Sequence, residues 1–139
     1  MKEEYIEQFE EAVPTPVLYI LMRTDLDSMN PGKAMAQASH ASNQFVANTD
    51  MNNTLYGQWK GAKTFGTVLV LEVDEQALRY TINDCRDLPF ECGIIHDPTY
   101  PLRDGDTTHY IPLDTCGYVF GNKDDPALQE LLSDFELHY

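Results

Sequence analysis

Apolar and polar positions run along the chain in two rhythms, and their order sets out the elements. Val17-Leu-Tyr-Ile-Leu-Met22 is an apolar run of strand formers, too short for a helix and suited to a strand buried on both faces. Residues 31 to 46 change to helical spacing. Ala34, Ala38, Ala41 and Phe45 form one row at i, i+4, i+7, i+11, and Lys33, Gln37, His40 and Gln44 form a second row at the same intervals. Asn30 suits the cap of this helix and Pro31 its first position. Its small residues let it lie close to a sheet, and its polar row is left to face something else. Residues 47 to 63 read as a loop with a short helix around Leu55 to Trp59. A strand from Gly66 to Val73 is followed by Asp74, which caps a helix of about 75 to 87 carrying Ala77, Leu78, Ile82 and Cys85. Cys92 to His96 and Thr115 to Phe120 read as two more strands. Asp125 caps and Pro126 begins a last helix, which buries Leu128, Leu131, Leu132 and Phe135. Ahead of all these, residues 3 to 13 set Tyr5, Ile6, Phe9 and Val13 among five glutamates at helical spacing, until Pro14 and Pro16 stop the helix.

This order predicts an α/β fold: a single three-layer domain with a four-stranded mixed β-sheet flanked by helices on both faces. Residues 1–16 read as an acidic N-terminal extension and 17–139 as the domain. At 139 residues with 42% apolar content, the chain has material for one core and none for a second. The longest apolar run, Val17 to Met22, is far below the roughly 20 residues that a bilayer span needs. A cytoplasmic protein with no membrane contact is expected. Cys85, Cys92 and Cys116 cannot all pair and lack zinc-ligand spacing, so reduced, mostly buried thiols and no metal are expected.

Nine Lys+Arg against 23 Asp+Glu give a net charge of −14, which excludes broad, salt-driven nucleic-acid binding. The acidity is uneven. Residues 1 to 22 sum to −4 and residues 64 to 139 to −11, whereas Arg23, Lys33, Lys60 and Lys63 against Asp25, Asp27 and Asp50 leave residues 23 to 63 at +1.

Lys33 falls in the first turn of its helix, where the macrodipole disfavours a cation by up to ~1 kcal/mol. A cation beside free backbone N–H groups makes an anion site; the alternative is a solvated lysine. Asp97 ends a strand, where ligands dock in α/β sheets, and beside Pro98 it is equally a turn former. Thr107, Thr108 and Thr115 flank the start of the last strand, where hydroxyls commonly satisfy loop backbone. His40 reads as a partly buried helix histidine or a site residue. No nucleophile elbow, HExxH, GxGxxG or phosphate loop occurs; Gly61-Ala-Lys-Thr64 lacks the first glycine of a phosphate loop and follows no strand.

Residues 22 to 41 resemble the type II peptidyl-tRNA hydrolases, which open with a strand, then R-x-D-L, a short loop and G-K-x-A-A-Q-x-x-H-A. The matching positions are Arg23, Asp25, Leu26, Gly32, Lys33, Ala34, Ala36, Gln37, His40 and Ala41. Trp59, Gly61 and Lys63 are similar to a W-x-x-x-G-x-x-K region, and the likeness extends in looser form over about residues 17 to 139. The resemblance implies a site built from Lys33, Asp97, Thr115 and one further threonine. Pro101 stands where that threonine belongs; counting eight residues back from Thr115 gives Thr107, with Thr99 and Thr108 in competition, and implies a six-residue insertion within about 98 to 106. The Gly-Pro that ends the family's last strand is altered to Phe120-Gly-Asn122.

The implied function is hydrolysis of the ester of peptidyl-tRNA, or of N-blocked aminoacyl-tRNA, with no cofactor and the tRNA acceptor end as partner. The alternative is a catalytically altered member serving as an acidic protein-interaction module. Arg23, Gln37, His40, Lys60 and Lys63 are the expected tRNA-binding residues, and a homodimer stays open. If the +1 segment receives the tRNA end, charge reversal at Lys60 and Lys63 raises the Michaelis constant for the tRNA ester; an unchanged constant in steady-state kinetics would remove this reading of the charge.

Overall fold

The computed structural model describes residues 13–61 and 65–138. The helix expected over 3 to 13 therefore lies, except for Val13, outside the described residues, as does Lys63. The sheet is built around β1 (Pro16–Arg23), whose residues from Val17 onward are all buried. It pairs in parallel with β2 (Val68–Val73) and antiparallel with β4 (Thr107–Asn122), which pairs antiparallel with β3 (Glu91–Asp104). The order β2-β1-β4-β3 makes the expected four-stranded mixed sheet.

Period-two alternation sends Val17, Tyr19 and Leu21 into one apolar cluster and Leu18, Ile20 and Met22 into another. Helices α1 (Pro31–Asn48) and α2 (Thr54–Gly61) pack over the second cluster, and α3 (Glu75–Cys85) and α4 (Pro126–Leu132) over the first. The expected caps are in place. Asn30 accepts from the Lys33 amide at 2.8 Å, Asp74 from Ala77 at 2.7 Å and Asp125 from Ala127 at 2.9 Å. No helix among the described residues is long and apolar enough to cross a membrane.

Phe45 is the hub of the α1 side. It is fully buried and meets Trp59 edge-on at 5.2 Å, Tyr56 at 5.6 Å and Phe120 at 4.7 Å between ring centres. Trp59 is held by its indole N–H on the Thr67 carbonyl at 2.8 Å. Gly66, at φ 73°, lets the chain pass this ring, because a Cβ there would lie 2.3 Å from it. The main chain of residues 136–138 covers the outer edge of β2: the Glu72 amide donates to Glu136 and the His138 amide to Val70.

The two later strands run much longer than their apolar cores predict. Where 97 to 114 read as a loop, the chain forms a two-stranded arm. Asp104 pairs with Thr107 across the two-residue turn Gly105-Asp106, and Gly105 at φ 60° supplies the positive φ that such a turn needs. Register shifts interrupt the β3–β4 ladder twice, between Ile95 and His96 and between Asp97 and Tyr100. Truncation at the aromatic hub, Phe45→Ala, is expected to cost about 3–5 kcal/mol of unfolding free energy, measured by denaturant titration.

Candidate active site

The polar row of α1 lies against the irregular end of the β3–β4 ladder. Ile95 pairs with Cys116 and His96 with Asp114, so Thr115 is the extra residue of a β-bulge. Simple alternation would send Thr115 to the α3 face. The bulge turns it instead toward α1, where its hydroxyl donates to Gln37 Oε1 at 2.6 Å and the neighbouring Cys116 thiol meets the Gln37 carbonyl at 3.5 Å. Burial pushes this thiol up to about 12, so Cys116 is a neutral packing residue rather than a nucleophile. The second shift adds a residue to β3 around Pro98 and Thr99. Asp97 and Tyr100, three apart in sequence, thereby reach the same face.

Gln37 is buried and both ends of its amide are used. Its Nε2 donates to Asp97 Oδ2 at 2.8 Å while Oε1 accepts from Thr115, giving a chain Thr115–Gln37–Asp97. The other carboxylate oxygen of Asp97 accepts from the Thr99 amide at 2.9 Å and faces the Thr99 hydroxyl at 3.4 Å. Burial pushes this carboxyl up, but the Thr99 amide, the Gln37 amide, the Thr99 hydroxyl and the field of His40 together outweigh it. Asp97 is held below the ordinary carboxylate range and is ionised at neutral pH.

Lys33 is half-buried, with Nζ 2.8 Å from the Pro101 carbonyl and 4.9 Å from the centre of the Tyr100 ring. Tyr100 is itself fully buried and shares a 3.0 Å hydrogen bond with the Ser28 hydroxyl. The arm thus grips the start of α1. Its first-turn amides are largely committed: Pro31 has none, the Lys33 amide goes to the Asn30 side chain and the Ala34 amide to the Asn30 carbonyl. Any anion here would meet the Lys33 ammonium and the macrodipole rather than a row of free N–H groups. A cleft of about 320 Å³ opens beside Asp97, lined by His40, Gln44, Ile95, His96 and Pro98. Two larger clefts, of about 620 and 650 Å³, lie by α3 and contain none of Lys33, Asp97 and Thr115.

The structure joins Gln37, Asp97 and Thr115 and sets the exposed His40 on the cleft beside Asp97, whereas Lys33 reaches the Pro101 carbonyl and the Tyr100 ring further along β3. It does not bring Thr107 to them: Thr107 pairs with Asp104 at the exposed tip of the arm, on the order of 20 Å from Asp97 at about 3.3 Å per strand residue. Thr108 sits one residue further along the same tip, whereas Thr99 is in contact with Asp97. Arg23, expected on a positive face, is 5% exposed and turned inward. It pairs twice with Asp25 at 2.9 and 3.0 Å, approaches Glu75 at 3.5 Å and donates to the Asp114 carbonyl at 3.0 Å. Gln37, expected to touch tRNA, is an internal bridge. Lys60 is exposed on α2, an element apart from this group. Tyr100 and Ser28 were not singled out from the sequence; a tyrosine between Pro98 and Pro101 was the available signal.

The sequence model of the family described as Peptidyl-tRNA hydrolase PTH2 matches residues 16–115, from the first residue of β1 to the bulged threonine, and the chain belongs to that family. The match stops short of the end of β4 and of α4, where a looser likeness was expected. No curated protein matches the chain.

Removing the Gln37 donor disfavours the ionised form of Asp97. Gln37→Leu is therefore expected to raise the Asp97 titration midpoint toward the ordinary carboxylate range, followed by carboxyl carbon NMR. By linkage, a depressed carboxyl adds stability at neutral pH that is lost as pH falls through its folded-state value, so the variant should lose less stability on acidification than the parent.

Proposed function

We propose that this chain hydrolyses the ester joining a peptide, or an N-blocked amino acid, to the terminal ribose of tRNA. The observation that carries the reading is the hydrogen-bonded chain Thr115–Gln37–Asp97–Thr99, inside a chain of this family, with Lys33 one turn of α1 before the buried Gln37 amide. Asp97 and the Thr99 hydroxyl hold a water beside the cleft, and the Gln37 amide, steadied by Thr115, fixes the carboxylate toward it. The water oxygen bonds to the ester carbonyl carbon as its proton passes to Asp97. Collapse of the tetrahedral intermediate breaks the bond to the ribose oxygen, which leaves with that proton, releasing free tRNA and an acid.

A carboxylate held below its ordinary range is a weak base, so positioning and charge must supply most of the acceleration. Lys33 provides the charge. Its ammonium has three N–H donors, one on Pro101, and the remaining two meet the developing oxyanion or the terminal phosphate. His40 and Gln44 line the cleft that receives the acceptor end, and no cofactor takes part. The same engagement of Lys33 by Pro101 and Tyr100 favours a second reading, an acidic protein-interaction module whose lysine is structural.

One assay separates the two: release of N-acetylaminoacyl groups from tRNA by the purified chain. Lys33→Ala is expected to lower kcat by about 10²–10³-fold, the usual cost of losing one oxyanion donor. Asp97→Asn is expected to lower it by at least about 10². Absence of hydrolysis by the parent selects the interaction module, whereas full activity in both variants of an active parent removes Lys33 and Asp97 from the chemistry.

A further inference from the structure

Asp97 and Thr115 are each preceded in the chain by a residue directed to the opposite face of the sheet, and these two, His96 and Asp114, are cross-strand partners. His96 Nδ1 lies 2.8 Å from Asp114 Oδ1. A carboxylate oxygen accepts, so Nδ1 carries the hydrogen of this bond. Asp114 is held from two further directions. Arg23 donates to its backbone carbonyl at 3.0 Å, and Arg79 lies 3.4 Å from its second carboxylate oxygen. Both arginines are in turn fixed by Glu75, at 3.5 and 3.0 Å.

This pair adjoins the bulge that carries Thr115. A bulge gives up ladder hydrogen bonds and leaves its strand locally free, while a cross-strand side-chain bond restores part of the constraint. Each partner is one peptide unit from a residue of the site, so the His96–Asp114 bond sets from the far face the same separation that the Gln37 amide spans from the near face.

Resting on the hydrolytic reading above, we propose that His96 is a positioning residue: by donating to Asp114 it holds the bulge so that Asp97 and Thr115 keep the spacing the attacking water requires. His96 borders the cleft beside Asp97, but its ring is engaged by Asp114, and it acts through the strand pair rather than by touching the ester. Its removal therefore acts on kcat and leaves KM almost unmoved, and an asparagine, which offers an amide N–H at the position of Nδ1, replaces it.

The test is steady-state hydrolysis of N-acetylaminoacyl-tRNA by the full chain and by His96→Ala and His96→Asn, with melting temperature and two-dimensional NMR recorded on all three. In His96→Ala, kcat is expected to fall about ten- to a hundredfold, as for a misplacement of about 1 Å, with KM within twofold. The Thr115 and Asp97 resonances move in this variant, and both kcat and resonances return toward the parent in His96→Asn. A parent-like kcat in His96→Ala, an effect confined to KM, or an asparagine variant as impaired as the alanine variant overturns the proposal. Should the parent hydrolyse no ester, the functional reading fails by itself. The clasp is then judged by the NMR arm, where unmoved Thr115 and Asp97 signals in His96→Ala overturn it.

Discussion

A buried amide has two unlike ends, and Gln37 must satisfy both. Its oxygen can only accept and its nitrogen only donate, so one side chain demands a hydroxyl on one strand and a carboxylate on the other. An unmet partner at a side chain 4% exposed would cost about 1–3 kcal/mol. The demand fixes how α1 sits on the sheet, and it is met only because β3 and β4 are irregular there. A regular ladder would place Thr115 among the α3 contacts and separate Asp97 from Tyr100. The helix and the two bulges therefore have to be read as one arrangement, with the apolar row of α1 setting its distance from the sheet and Gln37 setting its register.

The opposite row of α1 behaves in the same way. Lys33 reaches the Pro101 carbonyl, Gln37 reaches Asp97 and Gln44 reaches the Ile94 carbonyl at 3.2 Å, so the row spells out contacts along β3. The polar row that sequence leaves to face something else is half an interface, and for Lys33 and Gln44 the other half is main chain. Main-chain acceptors are present at every residue and leave no mark on side-chain pattern. The stripe was legible, and what it faced was not.

The same distinction explains where sequence reading ran short elsewhere. Apolar runs marked the strand cores at Val17 to Met22, Gly66 to Val73, Cys92 to His96 and Thr115 to Phe120, and the caps at Asn30, Asp74 and Asp125 marked the helix starts, because each is a property of a few consecutive residues. A bulge is a relation between two strands and has no period of its own. Counting back from Thr115 placed a threonine on the assumption that the chain returns to the sheet before Thr107. The hairpin instead turns at Gly105 and comes back through Thr107, so the count ends at the wrong end of the arm. Asp104-Gly105-Asp106 followed by two threonines was the signal for it. Arg23 was misread for a related reason. Charge along the chain does not reveal that Asp25 and Glu75 lie within reach of one guanidinium, nor that such a group, paired and hydrogen-bonded, can be buried.

The grip of the arm on Lys33 has a thermodynamic side. Whatever anion approaches this ammonium meets a carbonyl of the same chain already seated on it, at an effective concentration set by a short, stiff tether. The intrinsic attraction of the site is discounted by the fraction of time the carbonyl holds the lysine, and by reciprocity a bound anion loosens the arm to the same degree. In an enzyme that must release a polyanionic product many times over, such an internal competitor shortens the stay of the product as much as it weakens the arrival of the substrate. On the proposed reading, a chain that carries 14 excess negative charges and still holds its lysine back is arranged for brief encounters with nucleic acid rather than for storage of it.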